Sequence, residues 1–395
     1  MKKSLILSLI TLAALVSCKQ EAPQTEFIPA ELTSGIFHAT IETAGATKVF
    51  TDESLHVLWN ADDYISIFDK TTRNKQYRFT GADGANGGDF EEVGDTFGTG
   101  SDIEYNYAVY PYDAANAYVF DNILSTSFPA VQTYRANSFG PGANLMVARS
   151  ATHDLSFKNV GSYVRFRLFG SGITVRSIAL SGNGGEVLAG PVRVTPGEGG
   201  IPSMAFDDTD PSALGYSIIL DASAAPVALG ADDSGSIDFW MVVPPVSLEG
   251  GFTLTVVDAN GQVYEKSTSK AVSFTRSQLL TMKAFDVRDG ALDFGIYPAS
   301  GEAYHYTRGH DMMNIYEADG LAWFRFLVES DGTVLGLGPI PESVAQGDTF
   351  VASLTSYSDG TPSQEILPYR LTVLSYAGGI LNLVSSQGDR FIIRF

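Results

Sequence analysis

The sequence predicts an all-β protein, and three observations carry that reading. Short runs of alternating apolar and polar residues recur along the chain. Turn-forming residues separate them, with 40 glycines and 17 prolines among 395 residues. No long segment keeps a helical period of apolar positions. Turn-separated strands of this kind pack as β-sandwiches.

The runs follow one another as Gly35–Glu42, Tyr64–Phe68, Tyr105–Tyr110, Val164–Leu168 and Phe252–Val257. Each alternates in hydrophobicity, as a half-buried strand requires. Asp258-Ala259-Asn260-Gly261 and Ser330-Asp331-Gly332 read as hairpin turns, because Asn, Asp and Gly adopt the needed backbone conformations most readily. Short helical turns are expected near Ser277 to Lys283. Phe391-Ile392-Ile393-Arg394-Phe395 is a final strand. Composition shifts around Gly140 to Ser150 and Arg288 to Pro298 divide the chain into blocks 34–149, 150–288 and 289–395. The length agrees, at about 150 residues per domain.

Charge and cysteine content exclude several function classes. There are 25 Lys and Arg against 45 Asp and Glu, a formal net charge of −20. Phosphate recognition needs a basic footprint, so nucleic acid is not an expected partner. With one cysteine there is neither a disulfide framework nor a Cys-rich zinc site.

That cysteine carries the first functional signal. Met1-Lys2-Lys3 is a basic start, and an apolar run follows from Leu5 to Val16. The run is too short to span a membrane, which takes about 20 residues, and it has the form of a secretory signal. It ends in Leu15-Val16-Ser17-Cys18, where a lipobox places its cysteine. This resembles a bacterial lipoprotein signal over residues 1–17. The resemblance implies diacylglyceryl transfer to the Cys18 thiol, cleavage before Cys18 and acylation of the new amine. An ordinary signal peptide is the alternative. Several acyl chains anchor stably, at ~0.8 kcal/mol per buried methylene. Residues 18–33 then read as a polar tether.

No catalytic constellation stands out. His305 and His310 flank Tyr306 and lie beside Asp311, an arrangement read as turn histidines. Asp207-Asp208-Thr209-Asp210 and Asp232-Asp233-Ser234-Gly235 lack the calcium-loop pattern. Asp83 to Asp89 reads as a glycine-rich hairpin loop. There is no Gly-x-Ser-x-Gly elbow. The expectation is a non-enzyme without cofactor or metal. Trp323 and Tyr304-His305-Tyr306 are candidates for stacking on sugar rings, or for sandwich core.

The order of several motifs adds a second resemblance. The strand Ile36 to Ile41 precedes Gly45-Ala46-Thr47-Lys48. Then come Trp59-Asn60-Ala61-Asp62-Asp63-Tyr64-Ile65-Ser66-Ile67-Phe68 and Tyr107-Ala108-Val109-Tyr110-Pro111-Tyr112. Leu155 to Phe166, Val175 to Gly182 and Met241-Val242-Val243-Pro244-Pro245 follow. Over roughly residues 30 to 288 this resembles the fimbrillin family, the lipoprotein pilins of Bacteroides-type bacteria that build type V pili. The resemblance implies two tandem transthyretin-like β-sandwich domains, with 289–395 left as a C-terminal β-rich module. It implies location at the outer membrane or cell surface, held there by the lipid on Cys18. It also implies donor-strand exchange with other pilin subunits: a protease cuts after a basic residue, the first strand leaves, and a neighbour's strand fills the groove. An edge strand removed from a sandwich would expose backbone groups and an apolar groove.

Residues 36–42 map onto the removable strand and Lys48 onto the cleavage point. No arginine lies between Cys18 and Arg73, a departure from the family's usual Arg. If Lys48 is an uncut, solvated lysine, strand and lipid stay and the chain would serve as an anchor. The extra C-terminal block suits an accessory, anchor or tip subunit contributing to adhesion to a host or bacterial surface ligand. Arg390 to Phe395 is either a donor strand or, the preferred reading, a strand completing its own domain. The alternative function is a monomeric surface lipoprotein that binds glycans.

Overall fold

Strands dominate the computed structural model, which describes residues 35–42, 57–94, 103–197, 200–292, 295–297, 311–316, 322–328, 334–338, 340, 344–356 and 363–395. No α-helix occurs among the described residues; helical turns are short 3-10 pieces such as Pro211–Ala213 and Val287–Gly290. The all-β class read from the sequence is observed.

The chain begins with β1 (Phe37–Ile41), β2 (Tyr64–Phe68), β3 (Lys75–Phe79), β4 (Gly87–Glu92), β5 (Asn106–Tyr110) and β6 (Ala117–Tyr118). It continues with β7 (Leu124–Phe128), β8 (Val131–Arg135), β9 (Ser138–Phe139), β10 (Met146–Ser150) and β11 (Asp154–Asn159). Seven of these close a barrel in the order β1-β11-β10-β5-β2-β3-β4, with β4 returning to β1. The fold agrees with the sandwich-rich reading of the sequence, and within it the sheets of the first unit close into a barrel in which β1 is paired on both sides rather than left on an open edge. Alternation with period two suits either architecture, and closure depends on long-range pairings that the pattern does not encode.

The second unit contains β12 (Ser162–Phe169), β13 (Thr174–Gly182), β14 (Gly190–Thr195), β15 (Ser203–Phe206), β16 (Ser217–Asp221), β17 (Val227–Ala228) and β18 (Ile237–Val243). It is completed by β19 (Val246–Leu248), β20 (Phe252–Asp258), β21 (Val263–Thr268), β22 (Val272–Phe274), β23 (Leu279–Thr281), β24 (Phe285–Asp286) and β25 (Ala291–Leu292). One sheet runs β18-β12-β23, with β24 also on β12. A larger sheet runs β25-β21-β20-β13-β16-β8-β9. The expected division between residues 149 and 150 does not follow these sheets. β7 pairs with β14 and β8 with β16, while β11 pairs back into the barrel. The Gly/Pro-rich stretch marks a return crossing, not a boundary. One buried core accordingly runs through both units. The helical turn expected near Ser277 to Lys283 is instead strand β23, lying parallel along β12; tertiary pairing overrides local preference. The Asp258–Gly261 hairpin is observed, with Asp258 accepting from the Asn260 and Gln262 N–H groups at 2.8 and 2.9 Å.

The third unit holds β26 (Gly295–Tyr297), β27 (Asp311–Tyr316), β28 (Ala322–Val328), β29 (Val334–Leu337), β30 (Thr349–Ser356), β31 (Ser363–Ala377), β32 (Ile380–Ser385) and β33 (Arg390–Arg394). Its strands follow β33-β29-β28-β27-β30-β31-β32, and β32 pairs back to β33. β33 therefore sits within its own unit, paired to β32 on one side and to β26 and β29 on the other. Its two faces differ in use. Phe391 and Ile393 enter the unit's own core with Phe326 and Phe350. Ile392 packs outward, with Ile380, against Val257 and Val263 of the second unit. Beside them Arg390 Nε donates to Glu265 Oε1 at 2.5 Å and to Thr255 Oγ1 at 3.1 Å, with only 5% of the arginine side chain exposed.

Candidate strand-exchange site

The site is β1 and the slot that holds it. Phe37, Ala39 and Ile41 point inward and are buried, while His38 and Thr40 face out. Alternation puts all the apolar residues of the strand on the barrel's inner face. On one side β1 runs antiparallel to β4, with Phe37 opposite Phe90 and Ala39 opposite Gly88. On the other it runs parallel to β11, with Ile41 opposite Phe157. The Phe37 ring meets Tyr77 edge-on at 5.2 Å.

Two glycines shape the β4 wall. A Cβ at Gly87 would lie 2.9 Å from Thr40 Cγ2 and 3.0 Å from the Ala39 carbonyl oxygen. A Cβ at Gly88 would strike the Phe79 ring at 2.8 Å. The bare backbone thus lets β1 approach closely at Gly87 and lets the Phe79 ring lie against β4 at Gly88.

The ends of β1 are held differently. At the start the His38 N–H donates to the His153 carbonyl at 3.0 Å, and His38 Nδ1 pairs with Asp89 Oδ1 at 2.9 Å in an exposed contact. At the far end the Glu42 N–H donates to the Phe157 carbonyl at 3.0 Å. The Glu42 carboxylate accepts from the Asn159 N–H at 2.7 Å and from Arg276 Nη1 at 2.5 Å. The same Arg276 nitrogen donates to the Asn159 carbonyl at 2.9 Å. Arg276 belongs to the second unit, so Glu42 clasps β1 across the junction. Asn159 extends the clasp into a buried chain, accepting from Asn144 Nδ2 at 2.7 Å and donating to Ser277 Oγ at 3.1 Å.

Trp59 lies beneath the slot. Its ring is within 5.0 Å of Phe90 on β4 and 5.3 Å of Phe157 on β11, edge-on in both cases. Those are the two walls, two strand spacings apart with β1 between them. Trp59 therefore bridges the walls independently of β1. It is itself packed on Tyr110, at 5.4 Å. The turn after it is closed by Asp63, whose carboxylate accepts from the Asn60 N–H at 2.7 Å and from the Tyr110 hydroxyl at 3.0 Å. Burial pushes the Asp63 pKa up, against the pull of those donors. The Trp59–Phe68 and Tyr107–Tyr112 motifs, read separately in the sequence, thus meet in one aromatic and acidic contact.

Cys18 and Lys48 lie outside the described residues, as do Tyr304, His305, Tyr306 and His310. Trp323 falls in β28. Among the described residues no group of three or more His, Cys, Asp or Glu is placed to hold a metal. Sequence reading missed Glu42, Arg276 and the Gly87-Gly88 pair. The glycines carried a signal, since adjacent glycines in a strand mark close backbone approach. A salt bridge spanning 234 residues carried none.

The solved structures similar to this chain include Bacteroides adhesion and fimbrial proteins. A candidate cell adhesion protein from Bacteroides ovatus is 13% identical with a TM-score of 0.37, the match covering 65% of this chain and 93% of that one. One from Bacteroides fragilis is 10% identical at a TM-score of 0.30, covering 78% and 100%. A fimbrial protein from Bacteroides ovatus is 12% identical at 0.25, covering 66% and 50%. No family model matches the sequence, and neither does any curated protein.

Proposed function

We propose that the chain is an exported lipoprotein of the fimbrillin type, lipidated on Cys18, whose β1 is released after cleavage at Lys48 so that a strand of another subunit takes its slot. It would act at the cell surface as an accessory, anchor or tip subunit, without enzymatic activity.

The supporting observation is topological. β1 comes first in the chain among the barrel strands. A single cut between β1 and β2 leaves it held by noncovalent contacts alone, whereas any other barrel strand would need two cuts. Between Ile41 and Tyr64 the sequence offers Lys48 as the sole Lys or Arg. Losing β1 would bare the inner edges of β4 and β11 together with an apolar floor, and an incoming strand satisfies both at once. The slot is two-sided, so a replacement strand would make two ladders.

Cells exporting the wild type, Cys18→Ala and Lys48→Ala forms test the reading. Labelled fatty acid is expected on the wild type and on Lys48→Ala, and not on Cys18→Ala. Ladders of linked subunits are expected from the wild type and not from Lys48→Ala. Undiminished ladders from Lys48→Ala would contradict cleavage at that residue.

A further inference from the structure

The second unit has an open seam that the strand-exchange reading does not use. It lies between the β20–β22 region and the edge formed by β23 and β24. Its floor is apolar, built from Phe166, Phe252, Leu254, Leu280, Met282 and Phe285. The cavity holds about 650 Å³, within the ~300–1,000 Å³ usual for small-molecule sites.

Three lysines, Lys266, Lys270 and Lys283, stand on its rim, and all are exposed. The Lys266 ammonium sits 6.0 Å from the Phe285 ring centroid. No ion pair is recorded for any of the three among the described residues. That is unexpected in a chain with 45 acidic and 25 basic residues. No acidic side chain lines this cavity. A local positive rim over an apolar trough, on a molecule of charge −20, selects for a ligand with an anionic head and an apolar tail.

We propose that this seam binds a single-chain anionic amphiphile, the tail lying on the Phe166–Phe285 floor and the head group meeting Lys266, Lys270 and Lys283. A polypeptide strand fits less well. β23 is three residues long, and the path breaks at Met282 to Ala284 before β24. Lysines on a short edge also discourage strand addition. An acyl chain needs no backbone partner.

Calorimetric titration of the intact chain with decanoate, dodecanoate and tetradecanoate below their micelle concentrations tests this. The expected result is saturable one-site binding that tightens by roughly tenfold per two methylenes. Dodecyltrimethylammonium, with the same tail and opposite charge, should bind at least tenfold more weakly. The combined Lys266→Gln, Lys270→Gln and Lys283→Gln variant should lose at least tenfold in dodecanoate affinity. Ala284→Trp, which fills the trough, should abolish binding while the rim stays charged. No saturable carboxylate binding, equal affinity for both head-group charges, or an unchanged triple variant would each overturn the proposal. So would dodecanoate failing where an extended Glu/Val-alternating peptide binds, which would make the seam a strand-addition site. None of these outcomes depends on cleavage at Lys48, so failure here leaves the strand-exchange reading standing.

Discussion

Tyr107, Tyr110 and Tyr163 each place a phenol hydroxyl inside the first two units. The Tyr110 hydroxyl donates to Asp63, and the Tyr163 hydroxyl donates to Asn144 Oδ1 at 3.2 Å. Burial pushes the pKa of all three well above the ordinary tyrosine value. The unfolded chain loses these protons near pH 10, while the folded chain keeps them. The folded state then binds more protons, so stability is fully present below about pH 10 and falls as pH rises toward the folded values. The urea midpoint should therefore drop between about pH 9 and about pH 11, and drop less steeply in Tyr110→Phe. Tyrosinate absorbance developing fully near pH 10 in a still-folded chain would contradict the burial of these hydroxyls. At this scale the sequence was partly legible. Tyr107-Ala108-Val109-Tyr110 marked a strand, and the acidic turn after Trp59 was visible. That Asp63 and Tyr110 meet was not, because their contact spans 47 residues and no local pattern reports it.

Among the elements, β1 shows what alternation can and cannot specify. Phe37-His38-Ala39-Thr40-Ile41 gave the strand and its inward face. The partners on both sides were hidden, because parallel pairing with β11 brings together segments more than a hundred residues apart. β33 shows the same limit: Phe391 and Ile393 enter a core, while Ile392, between two arginines on the opposite face, packs on a neighbouring unit that alternation alone does not reveal. Trp59 is the element-level brace of the slot, and it is 1% exposed. Trp59→Ala should cost about 3–5 kcal/mol of barrel stability, read from urea unfolding. It should also speed hydrogen exchange in β4 and β11 more than in β14 or β18. Equal protection of β4 and β11 in the variant and the wild type would mean the walls are not braced by this ring.

Across the whole molecule, the three units are joined by different means. The barrel and second unit share a core, and β7 and β8 leave the barrel's stretch of chain to pair with β14 and β16 of the second unit. The third unit meets the second through the outward faces of their sheets, where Ala179 and Ile219 pack on Leu374 and Val384. That contact explains why Ser177, Ser181 and Thr255, polar residues on an outer sheet face, are buried. It also has a polar lock in Arg390 and Glu265. Removing one partner of a buried pair strands the other's charge, at a cost of about 3–5 kcal/mol. Glu265→Ala should therefore loosen the third unit, seen as faster hydrogen exchange in β32, β33 and the outer face of β20. No change there would mean the ion pair is incidental to docking.

If β1 is a removable strand, the barrel stays folded once it has been withdrawn. Full-length chain can be cut with a Lys-specific protease and passed through gel filtration beside a synthetic peptide spanning residues 35–42. The fragment ending at Lys48 should separate, near-ultraviolet dichroism of the remaining chain should persist, and this chain should bind the peptide. A barrel that unfolds on losing the fragment, or a fragment that never dissociates from the cut chain, would contradict it.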